Sequence, residues 1–371
     1  MAERVAVIGG GIIGTTAAAL LAEAGADVTL FETTAIGAGA SGRNSGVIQH
    51  PFDPVLLPLH LATLEIYRAL ADTDAGFGFP SEAAGILLLT DDPAAGADRA
   101  AELGRAFPEL APEVLDERAL VSVEPTLAKG WAAVRVATGV PVVPEAATHA
   151  MAARALRAGA TVRVGLGAGP WVEGGRARGV VLDDGGQIAS DAVLVAGGPW
   201  TPEIIGRDPP WPAVARTWGV TVQVGLPHAP RHVLEEGVVH TVNLPGGLAG
   251  SLFSLVAVNG VATVGSTFLA EEPDAQQLAG RLLERGAAFV PSLATADVRA
   301  VRVCARPQSA DGRPFIGPVP DVEGLFVCAG HGPWGMSTGP ASAAMTVDLL
   351  LGREDRVPAA LRSDRPVEQG L

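Results

Sequence analysis

Three glycines near the N-terminus, Gly9, Gly11 and Gly14, stand between a short apolar run (RVAVI, 4–8) and a stretch rich in alanine and leucine that ends near Gly25. Such spacing suits a phosphate-binding turn. Gly9 permits the tight bend, Gly11 lets a pyrophosphate approach the backbone, and Gly14 lets helix and strand pack closely. Ile12 and Ile13 open the helix, whose first N–H groups and positive dipole end attract phosphate. A second apolar run (DVTLF, 27–31) ends at Glu32, where a carboxylate accepts hydrogen bonds from ribose hydroxyls. An acid there, rather than an arginine, disfavours a 2′-phosphorylated nucleotide. The motif implies a dinucleotide and leaves NAD and FAD both open.

These residues need a strand, a turn, a helix and a second strand, which is a βαβ unit of about thirty residues. Beyond it lies a Gly/Ala-rich loop, 37–46, then a helix signal over 53–70 and an apolar strand at 86–90. Residues 94–120 read as helical with proline breaks, and a further helix is expected over 145–159. A hairpin is predicted around Asp183-Asp184-Gly185-Gly186, followed by a buried strand, 191–196, that ends at Gly197-Gly198. From 213 to 303 the pattern changes to short alternating runs (219–224, 238–243, 251–258 and 261–268), as in an antiparallel sheet with one face covered. After Arg306 the chain returns to a strand, 324–329, then a glycine-rich turn and helix at 330–352. The fold expected is α/β, a Rossmann-type dinucleotide domain with an inserted antiparallel-sheet substrate domain. Residues 1–85, 140–212 and 304–371 fall to the first, and 86–139 and 213–303 to the second.

At 371 residues the chain is long enough for two such domains. Its net charge of −14 opposes binding to nucleic acid or anionic membranes. Two cysteines, Cys304 and Cys328, are too few for a disulfide framework. The remaining histidines, among them His60, His149, His228, His232 and His240, show no ligand spacing, so no metal site is expected. No unbroken run of about 18 apolar residues would span a membrane, and the N-terminus reads as a strand rather than a cleavage site, so a cytoplasmic enzyme is expected.

Three segments together, in this order, resemble the D-amino-acid oxidase, glycine oxidase and sarcosine oxidase superfamily of flavoenzymes. They are VIGGGIIG at 7–14, GASGRNSGVI at 39–48, and RPQSADGRPFIG at 306–317 with CAGHGPWGMSTGP at 328–340. The resemblance implies FAD as cofactor. Ser41, Gly42, Arg43, Asn44 and Ser45 then form a loop that wraps the pyrophosphate or the flavin edge, and Gly197 and Gly198 border the same site. His331, Gly332, Trp334, Gly335, Met336, Ser337 and Thr338 belong to the closing segment, where helix amides point at the flavin's N1/C2=O edge. Donors there stabilise the negative charge that builds on reduction.

By the same resemblance, Arg306 occupies the position of an arginine that grips the substrate carboxylate, a task suited to the bidentate guanidinium. Cys304 falls where sarcosine-oxidase relatives tether FAD through a thioether; a buried strand cysteine is the alternative. Gln49 replaces an arginine of those relatives, and His50 beside it is a candidate for the substrate cavity. The oxygen-activating lysine and active-site histidine of sarcosine oxidases correspond to Thr263 and Thr267, and Lys129 is the only lysine. Oxygen or another electron acceptor therefore stays open. The implied activity is oxidation of a small amine or amino acid, by hydride transfer from the α-carbon to flavin N5, giving an imine. Two alternatives stand beside it: an FAD-dependent 2-hydroxy-acid dehydrogenase, with His50 or His331 as base, and a flavoprotein subunit of a larger electron-transfer complex.

Overall fold

The computed structural model describes residues 3–74, 76–244 and 247–367. Two large sheets organise them. The first has six strands, in the order Phe315–Pro318, Leu325–Ala329, Ala192–Val195, Arg4–Ile8, Asp27–Glu32 and Thr161–Val164. All neighbours are parallel except Phe315–Pro318, which runs antiparallel to Leu325–Ala329. Its central strands are continuous apolar runs because both faces are covered. One face carries the helix Ile12–Glu23, packed against the helices Ala146–Arg157 and Gly335–Leu350. Ala17, Ala18 and Ala19 are fully buried, so this helix is small and apolar all round rather than two-faced. The other face meets a three-stranded meander, Ala168–Glu173, Arg176–Leu182 and Gln187–Ala189, which includes the predicted hairpin.

The second sheet has nine strands. Its main path runs Asp297–Ser309, Val214–Gly225, Val261–Phe268, Gly247–Val258, Val233–Glu236, Ile86–Thr90, Ala132–Val136 and Glu113–Leu115, with His240–Leu244 paired beside Gly247–Val258. Strand alternation sorts its side chains. Val220, Val222, Val224, Leu255 and Val264 form a core with the helix Ala275–Ala287, where Phe253 stacks on Phe289 with ring centroids 4.3 Å apart. Gly219, Thr221, Ser254 and Glu235 face the opposite way.

Two expectations need correction. The strand Asp297–Ser309 is continuous, so the boundary placed at 303/304 cuts through it, and Cys304 and Arg306 lie on the second sheet. The strands between 213 and 303 pair antiparallel, as expected, and Ile86–Thr90 joins them through a parallel pairing with Val233–Glu236. The 94–120 segment contains a short strand, Glu113–Leu115, between its helices. Among the described residues no helix is long and apolar enough to cross a membrane, and no cluster of His, Cys, Asp or Glu is placed to hold a metal ion.

Candidate active site

A cavity of about 1070 Å³ runs from the glycine turn of the first sheet to the polar face of the second. At its first end, glycine is required by contact as well as by conformation. A Cβ on Gly9 (φ +112°) would sit 2.4 Å from the Ala196 carbonyl oxygen, and one on Gly14 would sit 1.9 Å from that of Gly9. The helix Ile12–Glu23 has no capping side chain of its own. Ser41, 29 residues on, supplies one, its Oγ accepting from the Ile12 N–H at 3.0 Å. Glu32 accepts from the N–H groups of Gly10 (2.7 Å) and Thr34 (2.8 Å), which fixes the carboxylate on the cavity wall with lone pairs to spare for hydroxyls.

Most residues expected to hold the cofactor line this one cavity: Gly9, Gly11, Ile12, Ile13, Glu32, Ser41, Arg43, Asn44, Ser45, Gly197, Gly198, His331, Gly332, Trp334, Gly335, Met336 and Ser337. Gly14, Gly42 and Thr338 do not. Gly14 lies beneath the turn, Gly42 packs on Gly37, where a Cβ would meet the carbonyl oxygen at 2.3 Å, and the Thr338 hydroxyl donates to Trp334 O within its own helix. The residues present fit a flavin dinucleotide on two counts. The glycine turn leaves a cradle that any Cβ would fill. Both ring nitrogens of His331, which is 1% exposed, lack a partner on the cavity wall, and burial pushes its pKa down to about 3, so it faces the site as a neutral imidazole.

Arg306 stands on the strand Asp297–Ser309 and reaches across its neighbour. Its Nη1 donates to Thr267 O (2.9 Å) and its Nη2 to Ser266 Oγ (2.5 Å), with the guanidinium 4.6 Å from the Phe268 ring centroid. Gly219 makes room: a Cβ there would lie 2.6 Å from Nη1. Burial lowers the Arg306 pKa, yet no acidic side chain is among its described partners, and guanidinium stays charged at neutral pH. The guanidinium thus stands on the cavity wall with no carboxylate among its described partners. Cys304, two residues earlier, also lines the cavity, its Sγ 3.8 Å from Arg43 O.

Gln49 reaches the cavity, and His50 does not. His50 packs edge-on against Phe107, Phe52 and His60, accepts from the Phe52 N–H (3.0 Å) and points Nε2 at Glu109, 3.4 Å away. Successive residues of an extended segment point to opposite sides, so only one of the pair can face the site. Thr267 spends its hydroxyl on Val220 N–H and Trp218 O, and Lys129 is exposed and outside the cavity.

Sequence reasoning missed Phe52, Leu88, Arg99, Trp200, Ser254, Ser266 and, above all, Glu235. Glu235 lines the cavity from the strand Val233–Glu236, and burial pushes its carboxyl up to about 7, opposed by a hydrogen bond from Gln49 Nε2 at 3.5 Å. The alternation of HVLEE gives only a half-buried strand. Nothing in it signals the opposing Gln49, 186 residues away.

A family model described as DAO, FAD dependent oxidoreductase, matches residues 4–349. The chain is 28% identical to a glycine oxidase of Pseudomonas aeruginosa over 97% of its own length and 98% of that protein's. The glycine oxidase structure from Geobacillus kaustophilus superposes with a TM-score of 0.84 at 26% identity, covering 98% of this chain and all of that one. The iminodiacetate oxidase structure from Chelativorans sp. BNC1 superposes at 0.83 over 97% and 99%; at 23% identity that likeness concerns the fold.

Proposed function

This chain belongs to the DAO family of FAD-dependent oxidoreductases, and from that premise we propose that it oxidises an amino acid or a similarly small carboxylated amine to the imine. One observation carries the reading: the uncompensated guanidinium of Arg306 faces the same cavity as the dinucleotide cradle. FAD, when bound, would supply a two-electron acceptor for the hydride that leaves the substrate's α-carbon.

The chain's own residues do the rest by position. Arg306 takes the substrate carboxylate on its free donor edge and fixes which way the α-carbon points. Ser266 and Thr267 hold the guanidinium so that little side-chain freedom is lost on binding. Loss of the hydride and of an N–H proton leaves a C=N bond, which water opens to the oxo acid and ammonia or amine. A neutral amine needs no strong base for this step. The N-terminal amides of the helix Gly335–Leu350 begin at the cavity wall and stabilise negative charge there.

The glycine oxidase of Pseudomonas aeruginosa and the iminodiacetate oxidase both act on small carboxylated amines by name, in keeping with this reading. A 2-hydroxy-acid substrate would call for a base on the wall. Neither histidine serves, since His50 is not there and burial drives His331 down to about 3, so in that alternative the role would have to fall to Glu235.

The direct test is Arg306→Ala. We expect kcat/KM for carboxylated substrates to fall by at least about 100-fold, as befits losing a charge-assisted pair, while the flavin spectrum and FAD content stay as in the parent. Equal kinetics in the two proteins would remove Arg306 from the site.

A further inference from the structure

The cavity has a second pole, opposite in sign to Arg306, that binding of an α-carboxylate does not use. On the strand Val233–Glu236 two adjacent glutamates border the cavity. Glu236 is compensated: Arg285 Nη2 donates to both its oxygens (2.7 and 2.5 Å), and the Phe253 N–H adds a third bond. Glu235, on the cavity face, has no cation beside it among the described residues. Its one hydrogen bond, from Gln49 Nε2, is at the 3.5 Å limit. Gln49 is itself only 8% exposed, and its Oε1 has no donor at all. The Glu235 carboxylate thus stands on a stretch of wall whose one N–H, from Gln49, lies at the hydrogen-bond limit, and the Gln49 Oε1 beside it goes without a donor. Groups left this way are costly unless something else donates to them. The nearby Arg99 does not answer the need, because its guanidinium pairs with Glu102 at 2.7 Å.

The spacing of the two poles says what fits between them. Ser254 is the cross-strand partner of both Glu235 and Gly265, and the anchors of Arg306 are the next two residues, Ser266 and Thr267. Two to three strand spacings, since the guanidinium lies over Gly219, and one or two steps along the strand put the poles on the order of 10–15 Å apart. An α-ammonium is bonded to the carbon that bears its carboxylate and cannot reach Glu235 while the carboxylate sits on Arg306. A second nitrogen several bonds further out can. Leu88 and Leu252 line the wall along which such a chain would lie.

We propose that Glu235 and Gln49 form a subsite for a second cationic nitrogen, an amino or guanidino group on the substrate's side chain, so that this enzyme selects basic amino acids. The proposal rests on the reading of Arg306 as the carboxylate clamp. A bound cation would also offset the desolvation that holds the Glu235 carboxyl near 7.

The holoenzyme is assayed with lysine, ornithine and arginine against norleucine, in both configurations, with an artificial electron acceptor. The same ligands are titrated against the flavin absorbance for dissociation constants. The parent protein should favour the basic member of each pair by about 10- to 100-fold in both measures, the worth of one charge-assisted hydrogen bond. Glu235→Gln should remove at least tenfold of that ratio, and Glu235→Asp should keep part of it. Turnover of neutral amino acids with no preference for basic ones overturns the subsite and leaves the function standing. An equal loss on lysine and norleucine in Glu235→Gln also overturns it, since Glu235 would then serve the reacting amine. Where Glu235→Gln fails to fold, the parent ratio decides alone. If no amino acid of either kind binds or turns over, the clamp reading falls and the subsite with it.

Discussion

Cys304 brings a thiol into the same wall as Arg306, two residues away on one strand face, where a thioether to the flavin would have to form. Such a bond needs a thiolate. Burial pushes the Cys304 thiol up from its ordinary value, and the positive charges of Arg306, Arg302 and Arg43 only partly offset this. The sulfur is therefore protonated at neutral pH, and we predict that acid precipitation will release yellow FAD into the supernatant. Colour retained in the pellet would mean a covalent flavin, and Cys304→Ser would then have to free it. Residue by residue, the sequence was legible where chemistry sits inside a contiguous motif, as with Gly9, Gly11, Glu32 and Arg306. It was silent where chemistry arises from two distant segments, as with Glu235 and Gln49, and it could not tell which of the adjacent Gln49 and His50 faces inward, since that depends on the tertiary twist of the segment.

At the level of elements, the βαβ unit, the hairpin and the closing helix were readable because each carries its own period and its own glycine signals. The strand Asp297–Ser309 was cut short because DVRAVRVCARPQS alternates charged and apolar residues while a cofactor motif begins within it, so two readings overlapped. Edge-to-edge order was not readable either: the parallel pair Ile86–Thr90 and Val233–Glu236 joins segments about 150 residues apart. One buried acid fixes that neighbourhood. Glu124, 1% exposed, caps the helix Glu117–Val123 and accepts from the N–H groups of Arg231 (2.8 Å) and His232 (3.2 Å), from His232 Nδ1 (3.1 Å) and from Thr126 Oγ1 (2.8 Å). Burial alone would raise its pKa, but hydrogen bonds, first from His232 and then from Thr126 and the two backbone amides, hold it below the ordinary carboxylate value. A depressed carboxyl adds stability that is complete above the unfolded pKa of about 4.3 and is lost as pH falls through the lower folded value. Glu124→Ala should cost roughly 3 kcal/mol at pH 7 by stranding buried donors. Thermal melts from pH 7 down to pH 3 should show the gap between variant and parent closing below about pH 4. A gap independent of pH would mean that Glu124 contributes through packing alone.

In the whole molecule the two sheets share one cavity, so contacts across the joint between them reach the cofactor site. The loop that carries Ser41, Arg43 and Asn44 follows the βαβ unit of the first sheet but is tied to the second sheet. Arg302 donates to Asn44 O (2.9 Å) and Gly42 O (3.4 Å), and Arg43 donates to Val303 O (3.2 Å). Arg302 is absent from the cavity wall, so it acts on the cofactor only through this loop. Asp53 and Arg313, 3.0 Å apart, join another part of the first domain's long cofactor-side segment to the chain beyond the second sheet. Arg302→Ala should therefore raise the dissociation constant for FAD by about tenfold, the worth of one hydrogen bond from a charged donor. Titration of apoprotein with FAD, followed by flavin fluorescence, measures it. At saturating FAD the KM for substrate should move far less than in Arg306→Ala, since the clamp and its anchors are untouched. The same linkage requires FAD to stabilise both domains at once, raising the melting temperature of the apoprotein by an amount that shrinks in Arg302→Ala in proportion to the lost affinity. Unchanged FAD affinity in that variant would show that the loop is held by its own turn, with Ser41 on the helix start and Asn44 on Ala40 and Ser41, and that the two domains meet around the cofactor without steering it.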